Sequence, residues 1–100
     1  MDGIIGKRLK QAQKRAGISS QVKFGLLAGL VETGLSGRLS QNFSGKHKPD
    51  LQIIKLLAAV VKTPPAYFYC EDDRLAELIL KFGSLDEAQR NRLLEFVDKL

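Results

Sequence analysis

The chain has 100 residues, 44% of them hydrophobic, with a net charge of +5; that is the length of about one domain and enough apolar content to fold. One cysteine, Cys70, excludes an internal disulfide and a four-ligand thiolate zinc site. One histidine, His47, leaves no Ser-His-Asp or Cys-His arrangement with the partners it needs, so no enzyme, cofactor or metal is expected.

The helical pattern begins at once. Ile5, Leu9, Ala12 and Ala16 recur at helical spacing, with Lys7, Lys10 and Lys14 on other faces. Gly17 stops this first helix. Ser19 or Ser20 then caps a second, near Gln21–Ala28, with Val22 and Leu26 expected inward and Gly29 ending it. Residues 30–34 read as a connector. A short third helix follows to about Phe43, capped by Thr33 or Ser36, and Gly45 and Pro49 bound the next loop. Asp50 caps a fourth helix, Leu51–Val61, with Leu51, Ile54, Ala58 and Val61 as its stripe. Pro64 and Pro65 break it, and Pro65-Ala-Tyr-Phe-Tyr reads as a fifth, very short helix with proline in its first turn. Tyr67 and Phe68 are expected in the core.

Two more helices are expected in the tail. Leu75, Leu78, Ile79 and Phe82 fall at i, i+3, i+4 and i+7. Glu71, Asp72 and Asp73 sit at the N-terminal end, where the helix dipole favours negative charge. After Gly83, Ser84-Leu-Asp-Glu87 has the pattern of a capping box. It opens a helix with Leu85, Ala88, Leu93, Phe96, Val97 and Leu100 on one side. The expected fold is all-α, five short helices followed by a helical hairpin, divided as residues 1–70 and a C-terminal extension, 71–100. The N-terminus is charged too early for a secretory signal, and no apolar run nears the roughly 20 residues of a membrane helix. A cytoplasmic protein is expected.

Charge divides along the same line. Residues 1–70 carry eleven Lys and Arg against three Asp and Glu, or +8; residues 71–100 carry five against eight, or −3. The basic part suits a polyanion. A lysine-rich surface without a partner fits the charge equally well.

The third helix adds a more particular pattern. On a wheel of about 100° per residue, Leu35 and Phe43 fall within about 40° of Leu39. Gly37, Gln41 and Ser44 lie opposite, with Gly34 near them and Arg38 and Ser40 at the flanks. Small residues let a helix approach base edges, glutamine can pair with adenine, and arginine with guanine. Lys46 and Lys48, just past this helix, are placed to meet phosphate, and Gln21 starts the helix before it, where free amides favour an anion. Lys23, beside Gln21, is assigned to phosphate as well. His47 reads better as a solvated loop residue, and Cys70 as a small packing residue.

With these pieces in order, residues 4–69 resemble the lambda-repressor-like, Cro-type family of helix-turn-helix regulators of bacteria and phage, also called XRE-like. The matching runs are IGKRLKQAQKRAGISSQ, LLAGL, RLSQNFSGKHKPDL and IIKLLAAVVKTPPAYF. The resemblance implies a helix-turn-helix over about Gln21–Phe43. It implies base contacts at Ser36, Gly37 and Gln41 with Arg38 beside them, and phosphate contacts at Gln21, Ser44 and Lys46. The chain departs from the family by an extra residue near Ser19-Ser20 and by a longer connector. It also has Asn42-Phe43 where many members carry an apolar residue followed by glutamate. Either Phe43 supplies the apolar anchor, or the family register holds and Asn42 is half-buried and needs a partner.

The function expected is a sequence-specific DNA-binding transcription regulator, a repressor by default, reading a palindromic operator on double-stranded DNA as a homodimer. Leu93, Phe96, Val97 and Leu100 are expected to form the dimer interface rather than pack back on the fourth helix. The alternative is an antitoxin or other protein-binding module, whose main partner is a protein such as a toxin and which regulates its own promoter.

Overall fold

The computed structural model describes residues 3–29 and 50–100. The fold is all-α: these residues form five α-helices and one 3-10 helix, with no strand among them. They are α1 (Ile4–Arg15), α2 (Gln21–Leu27), α3 (Leu51–Val60), the 3-10 helix Pro65–Tyr69, α4 (Asp73–Gly83) and α5 (Glu87–Asp98).

Local chemistry sets most of the boundaries. Gly17 and Gly29 take left-handed backbone, φ +72° and +78°, just past α1 and α2. Only glycine adopts that conformation without a steric penalty. Ser20 Oγ accepts from the Lys23 amide at 3.1 Å and the Asp50 carboxylate accepts from the Ile53 amide at 2.9 Å, so α2 and α3 each open on a side-chain cap. Pro65, with its φ already set, starts the 3-10 turn.

The core joins α1, α2, α3, the 3-10 helix and one residue of α4. Leu9, Phe24, Ile54, Leu57 and Phe68 are fully buried, with Ile5, Ala12, Ala58, Tyr67 and Ala76 around them. Tyr67 and Phe68 meet edge to face with ring centroids 5.2 Å apart.

Three expectations are corrected. Val22 and Leu26 do not point inward; they are 55% and 57% exposed, and Phe24 is buried instead. The two positions lie about 160° from Phe24 on either side of the wheel, so burying the larger ring turns both of them out. Leu51 and Ala16 likewise leave their expected stripes and are exposed. The capping box is formed by Asp86 and Gln89, not Ser84 and Glu87: Asp86 accepts from the Gln89 amide at 2.8 Å, and Gln89 Oε1 accepts from the Asp86 amide at 3.0 Å. Ser84 closes α4 instead, its hydroxyl donating to the Lys81 carbonyl at 2.7 Å.

The tail is the expected helical hairpin, with Asp72 as the cap of α4, accepting from the amides of Arg74 and Leu75. α5 buries no residue at all. Between α4, α5 and the start of the 3-10 helix lies an open apolar groove of about 460 Å³. Leu75, Leu78, Phe82, Leu93, Leu94 and Val97 line much of it.

Candidate nucleic-acid interface

Of the residues assigned to DNA, the structure places Gln21 and Lys23. Both lie in the first turn of α2, Gln21 half-buried and Lys23 exposed. The approach to this turn is fixed. The Ile18 amide donates to the Gln13 carbonyl at 3.1 Å, and Gln13 Nε2 donates back to the Ile18 carbonyl at 3.1 Å. The loop is thereby tied to α1 before Ser20 caps α2. Ser36, Gly37, Arg38, Gln41, Ser44, Lys46 and Lys48 lie outside the described residues, as do the Asn42-Phe43 register and His47.

Cations elsewhere divide into two groups. Lys10, Lys14, Lys23, Lys55 and Lys62 are exposed and have no ion pair among the described residues. They leave the basic part of the chain with charge available to an anion. Arg8 and Arg15 are committed to the fold. Arg15 sits 5.3 Å from the Tyr67 ring centroid and donates to Thr63 Oγ1 at 3.4 Å.

Arg8 is the residue the sequence reading missed. The residue is only 2% exposed, and its guanidinium donates twice to the Cys70 carbonyl, from Nε at 2.9 Å and from Nη2 at 2.7 Å. It also donates to the Glu71 carbonyl at 3.3 Å and to Gln11 Oε1 at 2.9 Å, and lies 5.4 Å from the Tyr67 ring centroid. Asp73 completes the cluster at 3.0 Å, with Lys7 on the same carboxylate at 3.3 Å. Bonds from Arg8 and then Lys7 hold the Asp73 carboxyl below its ordinary value. The signal was present in the pattern: Ile5, Arg8, Leu9 and Ala12 follow i, i+3, i+4, i+7, which places an arginine in a core slot.

At the other end, Leu93 and Val97 lie together in the apolar groove. Phe96, on α5, and Leu100, past its C-terminal end, are not among the groove's lining residues and are 61% and 87% exposed. Leu94, not among the expected contacts, lines the groove with them.

The chain matches no protein-family model and no curated protein. It does match the crystal structure of the transcriptional regulator BswR, with 42% sequence identity and a TM-score of 0.82. The match covers 95% of this chain and 93% of that one, so both the helical unit and the tail hairpin are shared. The chain belongs to the same family as that regulator.

Among the described residues no helix is long and apolar enough to cross a membrane.

Proposed function

We propose that this protein is a sequence-specific DNA-binding transcription regulator of the Cro-type helix-turn-helix class, acting as a repressor on a palindromic operator. The observation that carries this reading is the end-to-end relationship to a transcriptional regulator. The cations of the basic part that have no ion pair among the described residues support it, because phosphate neutralisation supplies a large share of the affinity of such proteins. In this reading Gln21 and Lys23 meet the backbone of the duplex, with Ser44, Lys46 and Lys48. Gln41, Arg38, Ser36 and Gly37 meet base edges. Two copies join through the apolar face of α5, with Leu93, Phe96, Val97 and Leu100 in the contact. Residues 1–70 are the DNA-binding head and residues 71–100 the joining element, whose acidic balance keeps it off the phosphates.

The test separates the two kinds of contact. Gln41→Ala should relax the choice of base at one operator position and cost about 1–3 kcal/mol there. Lys46→Ala should weaken all duplexes alike and flatten the slope of log K against log salt by about one. Fluorescence anisotropy on operator and scrambled duplexes across a salt series reads both. Identical behaviour of the two variants on every duplex would refute the assignment.

A further inference from the structure

We propose that the tail is a rigid arm fixing the distance and direction between two DNA-binding heads, with Arg8 and Gly83 as its positioning residues. This rests on the reading above, in which the tail joins two copies on one operator.

The joint between head and tail has no slack. Only residues 70–72 separate the 3-10 helix from α4. Each of the three is engaged: the Cys70 and Glu71 carbonyls by Arg8, and Asp72 as the helix cap. A flexible tether would be rich in glycine and serine and free of such bonds.

α4 is then fixed along its length. Arg8 and Lys7 grip Asp73 at its start. Ala76, one turn on, is buried in the head's core. At its last residue the helix lies so close to Pro64 that a Cβ on Gly83 would come within 2.7 Å of the ring's Cγ and 2.8 Å of Cδ. A proline ring cannot swing aside as a long side chain would, so only glycine permits this approach. The turn into α5 is held too. Arg90 donates to the Phe82 carbonyl at 3.0 Å and to the Gly83 carbonyl at 3.1 Å, and its guanidinium lies 5.1 Å from the Phe82 ring centroid. The turn that sets the direction of α5 is thereby tied to the end of α4.

Two heads joined through such arms reach half-sites at one separation. Simultaneous engagement raises affinity by about a hundredfold or more when the geometry fits, and the gain disappears when it does not. A loose tether would give a gain that changes slowly with spacing.

The experiment uses the full chain and the half-site recovered by selection from a random duplex library. Inverted half-sites are set apart in steps of one base pair over about one and a half turns, and a single half-site serves as reference. The wild type should show one sharp optimum, with at least about a tenfold loss within roughly 3 bp on either side. Gly83→Ala forces α4 away from Pro64 and should move or broaden that optimum. Arg8→Lys, which keeps a charge for Asp73 but loses the forked grip on Cys70, should broaden it. Both should keep single half-site affinity and sedimentation as a dimer, readings that a merely destabilised chain would lose. If the wild type selects no half-site or sediments as a monomer, the underlying reading fails and takes the arm with it. If the wild type is dimeric and operator-specific but binds equally at all spacings, the rigid arm alone is overturned. The same follows if both variants, folded and dimeric, keep the wild-type optimum.

Discussion

The head and the end of the tail are built on opposite plans. The head buries Leu9, Phe24, Ile54, Leu57 and Phe68 completely and carries most of the positive charge. α5 buries nothing, yet displays Leu93, Leu94, Phe96 and Val97. A helix of twelve residues has little stability of its own in water. The head is held by its own core. The last helix depends on its capping box, on Arg90, and, in the proposed dimer, on a second copy.

The contrast can be broken most forcefully in the head. Phe68→Ala removes a fully buried ring beside Tyr67. It should cost about 3–5 kcal/mol and unfold much of the chain, read by thermal denaturation. Loss of less than about 1 kcal/mol would mean the head is not the stable part. In the tail the largest local effect should come from Asp86→Ala, which removes the carboxylate that accepts from the Gln89 amide at the start of α5 and leaves only the bond from the residue-86 amide to Gln89 Oε1. A cost of about 1 kcal/mol is expected, with amide exchange accelerated in α5 and unchanged in α1. Equal acceleration in both would show that head and tail melt as one unit.

The smallest effect concerns pH. Asp73 is exposed, but bonding to Arg8 and Lys7 holds its folded-state carboxyl below the ordinary value of 3.8. A lowered carboxylate contributes stability above the unfolded value and loses it as pH falls through the folded one. The grip on the start of α4 should therefore weaken only below about the ordinary carboxylate range. NMR titration of the Asp73 carboxyl checks this, and Arg8→Lys should move its midpoint upward. A midpoint at the ordinary value in the wild type would remove Asp73 from the joint.

Much of the fold was legible in the sequence because short-range chemistry decides it. Ser20, one of two serines offered, and Asp50 are caps, Gly17 and Gly29 are left-handed stops, and Pro65 is a first-turn proline; Asp72, read only as part of an acidic helix start, is the cap of α4. What misled was competition between equivalent patterns. α2 has seven residues, under two turns, so either of two opposite faces fits its periodicity, and the bulk of Phe24 decided between them. Ser84-x-x-Glu87 and Asp86-x-x-Gln89 overlap, and the need to close α4 took Ser84. Arg8 was readable as an arginine in a core slot, but its partners, the carbonyls of Cys70 and Glu71, lie more than sixty residues away in the chain. For the DNA-facing set, the described residues place Gln21 and Lys23 on one turn; the base-reading positions come from the wheel and the family resemblance.

The most direct measurement is selection from a random duplex library with the full chain at about 150 mM salt, where non-specific phosphate binding is weakened. Enrichment of an inverted repeat is expected, with half-sites about one helical turn, or a multiple of it, apart. Salt-sensitive binding with no enriched sequence would contradict it: the basic head would then grip DNA without reading it.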